Sequence, residues 1–122
     1  MIKNRILVVE DEESLLKLES ILFTSKGYAV TGVRDGKSAL EAIAADRPDL
    51  VVLDVMLPGL DGFEVCRAIK ENPETSSIPV VMLTAKKSSN DLERGRISGA
   101  DAYLTKPFKS VKVLEVIEGL IK

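Results

Sequence analysis

Ile6-Leu7-Val8-Val9-Glu10-Asp11-Glu12-Glu13 is an aliphatic run that stops abruptly on four acids. A short apolar run bounded by charge reads as a strand buried on both faces. A second run, Leu50-Val51-Val52-Leu53, stops the same way on Asp54. Strands without polar alternation belong to parallel sheets covered by helices on both sides, so these two stretches set the fold class. They also pose a chemical problem. Carboxylates crowded at the ends of buried strands repel one another, and a desolvated one without a partner is costly. A missing cation resolves the conflict. Donors that are all oxygen suit a hard divalent ion such as Mg²⁺, with Mn²⁺ an acceptable substitute, and suggest phosphate chemistry.

Working outward, strand-like and helix-like segments alternate. Strands are expected at 5–9, 28–33, 50–53, 78–83 and 102–104, and helices at 13–26, 37–45, 63–71, about 88–98 and 109–121. The first helix carries Leu15, Leu18, Ile21 and Leu22 as its apolar face, and Gly27 ends it. Arg47-Pro48 and Asn72-Pro73 close the second and third helices, and Pro79 sits at the start of the fourth strand, where a missing N–H does least harm. Connections this short between alternating elements imply βαβ units and a doubly wound parallel sheet.

Composition narrows the function. The chain has 122 residues, enough for one domain with a full core, and the whole span 1–122 reads as that domain. A net charge of −2 argues against nucleic-acid binding, which shows as a basic face. No apolar run approaches the about 18 residues of a membrane span, and the start, Met1 to Arg5, does not read as a signal peptide. One cysteine, Cys66, allows no internal disulfide and fits a reducing cytoplasm, packed as a small apolar residue. Histidine is absent, which excludes His-ligated metals and Ser-His-Asp catalysis.

In open parallel α/β sheets, ligands bind beyond the carboxyl ends of the strands, where strand order reverses. The polar residues without a structural excuse occupy those ends: Glu10 and Asp11, Asp54, Thr84 and Lys106. A strand order of 2-1-3-4-5 would set Asp11 and Asp54 side by side. Carboxylates for a metal, with an ammonium and a hydroxyl for phosphoryl oxygens, make both halves of a phosphoryl-transfer site.

From end to end the chain resembles the receiver domain of bacterial two-component response regulators, a flavodoxin-like fold of five strands and five helices. The resemblance rests on Ile6 to Glu12, Asp54-Val55-Met56-Leu57-Pro58-Gly59-Leu60-Asp61-Gly62, Leu83-Thr84-Ala85 and Gly99 to Phe108. It implies that Asp54 accepts phosphate from a phosphohistidine of a sensor histidine kinase or phosphotransfer protein. It makes Asp11 a metal ligand, Glu10 its partner acid acting through water, and Met56 a ligand through its backbone carbonyl. Thr84 and Lys106 would bind the phosphoryl group, Tyr103 would be the switch aromatic, and Lys106–Pro107 would be cis. The surface of the fourth helix, fifth strand and fifth helix would then change its affinity for a downstream protein target. A phosphorylation-dependent homodimer stays open, as does the choice between a stand-alone receiver and a piece of a longer regulator or hybrid kinase.

Competing readings carry less. Glu12 and Glu13 are most simply first-turn acids favouring the helix dipole, and Asp61 a turn residue or N-cap. Gly32-Val33-Arg34-Asp35-Gly36-Lys37-Ser38 imitates a phosphate-binding loop but is one residue too short between its glycines and does not follow the first strand. An Mg²⁺-dependent phosphatase with Asp54 as nucleophile would want a second aspartate two residues on, where Met56 stands. A flavin binder would not place acids after the first strand. The expected role is therefore a switch rather than a turnover enzyme, with Lys86 and Lys87 at the site's mouth tuning hydrolysis.

Overall fold

The computed structural model describes residues 4–121. The expectations that fall on Met1 to Lys3 and on Lys122, including the outer limits of the 1–122 domain, lie outside them. The order is β1 (Arg5–Val9), α1 (Glu13–Ser25), β2 (Ala29–Val33), α2 (Gly36–Ala45), β3 (Leu50–Leu53), α3 (Gly62–Glu71), β4 (Val80–Thr84), α4 (Ser89–Ser98), β5 (Ala102–Thr105) and α5 (Ser110–Ile121). All four pairings are parallel and the sheet runs β2-β1-β3-β4-β5. The expected doubly wound order is the observed one.

The apolar strands divide their side chains between two cores. Leu7, Val9, Val51, Leu53 and Met82 meet α2 and α3 through Ala39, Ile43, Val65 and Ile69. Ile6, Val8, Leu50, Val52, Val81 and Leu83 meet α1 and α5 through Phe23, Val113, Leu114 and Ile117. Consecutive strand residues thus face opposite layers, which is why neither alternation nor polarity marks these strands.

Local chemistry fixes the helix ends. Asp61 caps α3, accepting from the Glu64 amide at 2.9 Å while the Glu64 carboxylate accepts from the Asp61 amide at 3.1 Å. Ser88 and Asp91 form the same reciprocal box on α4. Asp35 caps α2 through the Ser38 amide at 2.7 Å.

Two expectations need correction. The fourth strand begins at Val80, not at Ile78, because Pro79 has no N–H to enter the ladder and contributes only its carbonyl, to the Val51 amide at 3.0 Å. The buried face of α1 is also rotated. Leu18 and Ile21 point outward, 57% and 65% exposed, while Glu19 and Phe23 point inward. The i, i+3, i+7 set Leu16, Glu19 and Phe23 faces the sheet, and an acid occupies a position that hydropathy alone assigns to solvent.

Candidate functional site

The end of the sheet assembles the site. Continuing the β1–β3 register of Val9 with Leu53 by one residue brings Glu10 level with Asp54, and the Asp54 amide donates to the Val9 carbonyl at 3.0 Å. Asp11 stands one residue further along, so Glu10 rather than Asp11 is the immediate neighbour of Asp54. Two strands away, the Lys106 amide donates to the Thr84 carbonyl at 2.8 Å, tying the ends of β4 and β5 together.

Glu10 and Asp54 are 3% and 7% exposed, and they share one cation. Lys106 Nζ lies 2.8 Å from Glu10 Oε1 and 3.1 Å from Asp54 Oδ2. The Glu12 amide donates to Glu10 Oε2 at 3.2 Å, and the Met56 amide donates to Asp54 Oδ1 at 3.1 Å. Burial raises the Glu10 carboxyl above its usual range, opposed by the Lys106 hydrogen bond and reinforced by the Asp54 charge. Burial pulls the Lys106 ammonium down, but the Glu10 hydrogen bond and both carboxylate charges outweigh it and leave its pKa raised. Lys106 is therefore a cation throughout the neutral range. The Lys106–Pro107 peptide is cis.

Asp54 is further held from behind by Gly62. A Cβ there would collide with the Asp54 carbonyl oxygen and sit 2.6 Å from Val55 Cα, so only glycine lets α3 start this close to the nucleophile candidate. Thr84 is fully buried, and its Oγ1 accepts from the Lys86 amide at 3.2 Å. The Tyr103 hydroxyl donates to the Lys86 carbonyl at 2.6 Å, and its ring lies against Gly95, half-buried. The aromatic is already seated on the loop that follows Thr84. Met56 is exposed beside the acids.

Sequence reasoning missed three residues here. Arg34, at the end of β2, donates from Nε and Nη2 to the Asp11 carbonyl at 3.0 and 2.9 Å and so fixes the backbone of that acid. Its place on the strand beside β1 was the available signal. Arg94 of α4 reaches back over the Phe63 ring, 4.3 Å from its centroid, and comes within 3.9 Å of Asp61. It lines, with Asp11, Met56 and Lys86, an open cavity of about 490 Å³. Glu19, 2% exposed, brings its carboxyl against that of Glu10, and burial, reinforced by the Glu10 charge, pushes its pKa up to about 8. Its spacing from Leu16 and Phe23 was the clue.

Asp11 is exposed beside this pair, and among the described residues no cation bridges its carboxylate. Glu10 and Asp54 thus share one lysine, and Asp11 adds a third acid at the same strand end. Among the described residues no three acidic side chains close on a common point as a protein-only metal cage does. Mg²⁺ does not ask for one, because it keeps several waters and takes one or two carboxylates. Asp11, Asp54 and the Met56 carbonyl, with Glu10 behind them, would make a donor set of that kind, and the surplus negative charge would suit a divalent ion.

A family model described as the response regulator receiver domain matches residues 6–118. The response regulator PleD of Caulobacter vibrioides is 43% identical over 118 residues, covering 97% of this chain and 26% of that protein. The transcriptional regulatory protein CseB of Streptomyces coelicolor is 41% identical over 120 residues, covering 98% of this chain and 50% of that protein. The chain therefore spans between a quarter and a half of these curated relatives. Among solved structures, the signal receiver domain of a histidine kinase from Syntrophus aciditrophicus matches with a TM-score of 0.92 at 34% identity, over 97% of this chain and 89% of that one. Chemotaxis protein CheY4 of Vibrio cholerae matches with a TM-score of 0.91 at 28% identity, over 98% and 99%.

Proposed function

The chain belongs to the response regulator receiver family of two-component signalling, and from that premise we propose that it is a phosphoacceptor switch whose acceptor is Asp54. The observation that carries the reading is electrostatic: Glu10 and Asp54 share Lys106 as their only bridging cation among the described residues, with Asp11 adding a third charge beside them. A divalent ion and an incoming phosphoryl group together answer that arrangement.

In the transfer, an Asp54 carboxylate oxygen attacks phosphorus in line, the P–O bond forms, and the P–N bond to the donor imidazole breaks. Asp11, Asp54 and the Met56 carbonyl, with Glu10 behind, would hold a Mg²⁺ ion, which when bound would supply charge neutralisation for this meeting of anions. Lys106 stands within bonding distance of Asp54 and can pass one of its hydrogen bonds to a phosphoryl oxygen. The Thr84 hydroxyl, neutral and buried, can turn its proton toward the same group.

Because Tyr103 is bonded to Lys86, two residues beyond Thr84, a shift of Thr84 toward phosphate is felt at the half-buried ring and hence along α4, β5 and α5. Phosphate then biases a two-state equilibrium, about fivefold for each kcal/mol of differential stabilisation. The phosphoryl donor is a sensor histidine kinase or phosphotransfer protein, the reader a downstream protein, and the setting the cytoplasm. Among the described residues no helix is long and apolar enough to cross a membrane. Self-catalysed phosphorylation and dephosphorylation are the only chemistry in this reading. A turnover phosphatase built on Asp54 needs an acid/base two residues on, and Met56 cannot move a proton.

The test is acid-labile labelling from acetyl phosphate with Mg²⁺. The wild type takes up label and Asp54→Asn does not; undiminished labelling of the variant refutes the assignment.

A further inference from the structure

Asp11 is the least restrained acid of the site. Glu10 and Asp54 are buried, and each carboxylate is held by Lys106 and by a backbone amide. Asp11 is exposed, and among the described residues neither its amide nor its carboxylate makes a hydrogen bond. The β1–β2 ladder ends one residue before it, where the Glu10 amide donates to the Val33 carbonyl at 3.1 Å, and α1 begins only at Glu13. Arg34 spans this gap. Val33 pairs with Val9, so Arg34 continues β2 level with Glu10 and reaches one residue further along. Its Nε and Nη2 converge on the Asp11 carbonyl oxygen at 3.0 and 2.9 Å, the only hydrogen bonds to Asp11 among the described residues. A carbonyl has no charge for a guanidinium to balance, so this contact is not an ion pair. Two charged N–H donors meeting on one oxygen fix direction as well as distance. With the Asp11–Glu12 peptide plane held, ψ of Asp11 is set, and with it the direction in which its side chain leaves the backbone.

We propose that Arg34 is a positioning residue of the metal site, aiming the Asp11 carboxylate by gripping the Asp11 peptide from outside. This deepens the phosphoacceptor reading and rests on it. Charge works in the opposite sense. A guanidinium near a divalent ion repels it, so loss of the cation alone would tighten Mg²⁺ binding, whereas loss of the grip weakens it. Lysine separates the two effects, because it keeps the charge and cannot form the planar fork. Groups that orient a metal's ligands from outside matter about 10- to 100-fold in affinity, and at an exposed acid Arg34 acts at the near end of that range.

The experiment is calorimetric Mg²⁺ binding to the whole chain as wild type, Arg34→Lys and Arg34→Met, with backbone carbonyl ¹³C spectra of the metal-free proteins. Arg34→Lys should lose about tenfold in Mg²⁺ affinity, and Arg34→Met somewhat less, since the repulsion goes with the grip. Wild-type affinity in the lysine variant, or equal or tighter binding in the methionine variant, overturns the proposal. The metal-free Asp11 carbonyl resonance must move in both variants, and an unmoved resonance rejects the grip outright. In labelling from acetyl phosphate, the Mg²⁺ concentration for half-maximal rate should rise by the same factor as the affinity falls, while the rate at saturating Mg²⁺ stays that of the wild type. A lower saturating rate with unchanged half-saturation would make Arg34 a support of the fold alone and overturn its positioning role. A wild type that binds no Mg²⁺ sinks the phosphoacceptor reading and this role together, whereas normal wild-type binding with unaltered variants sinks this role alone.

Discussion

Glu19 should make the metal-free protein less stable as pH rises through neutrality. Its pKa is raised by burial, and further by the Glu10 charge, from an ordinary 4.5 to about 8 in the folded chain. Between those values the folded state keeps a proton that the unfolded state has released, so raising the pH favours unfolding. Below 4.5 both states hold the proton and the group contributes no slope; above about 8 both are ionised and the loss is complete. The linkage cost is under about 1 kcal/mol near pH 5 and roughly 3 kcal/mol near pH 7, a change of about 2–3 kcal/mol. For a domain of this size that is roughly 10 °C in Tm. Glu19→Gln keeps the shape and the hydrogen-bonding capacity but cannot titrate. Urea unfolding with chelator present, followed by circular dichroism from about pH 5 to 7, should show wild type losing those 2–3 kcal/mol relative to the variant. Subtracting the two cancels the shared contributions of Glu10, Asp54 and Lys106. A difference that stays flat with pH would refute the burial and the contact with Glu10 together.

Two further substitutions probe the site from other sides. Lys106→Ala strands two nearly buried carboxylates and should cost about 3 kcal/mol near neutral pH, shrinking in acid as Glu10, its carboxyl raised by burial, takes up a proton, read as urea midpoints; a loss independent of pH would show that the lysine serves packing alone. Gly95→Ala places a Cβ 2.5 Å from Tyr103 Cδ2 and should push the ring outward and free its hydroxyl from the Lys86 carbonyl, at about 1–3 kcal/mol. Tyr103 ring resonances that stay in place would contradict that coupling.

The strands could be read because burial on both faces leaves an unmixed apolar run, and the acids that stop β1 and β3 mark where the sheet ends. The short connections made the sheet parallel and doubly wound, whereas the order 2-1-3-4-5 entered only as a supposition that the clustering of Glu10, Asp54, Thr84 and Lys106 at carboxyl ends favoured, and the pairings then showed it. What escaped depended on pairings that single residues do not announce. Hydropathy sends a glutamate outward, so the expected face of α1 was rotated toward Leu18 and Ile21, whereas the helix buries Glu19 and Phe23. Arg34 is hidden for a similar reason: its guanidinium serves a backbone carbonyl 23 residues away, at Asp11. The level pairing of Glu10 with Asp54 is a matter of register, which two unbroken aliphatic runs leave open by one residue.

The most direct measurement is to locate the phosphoryl group. Intact protein would be treated with acetyl phosphate, the acyl phosphate trapped by borohydride reduction, and the modified residue identified by peptide mass, with Mg²⁺ present or chelated. A single modification at Asp54 that vanishes with the chelator is the expected result. Modification at Asp11 or Glu10 instead, or equal uptake without the ion, would contradict the assignment of these acids to one divalent site serving Asp54.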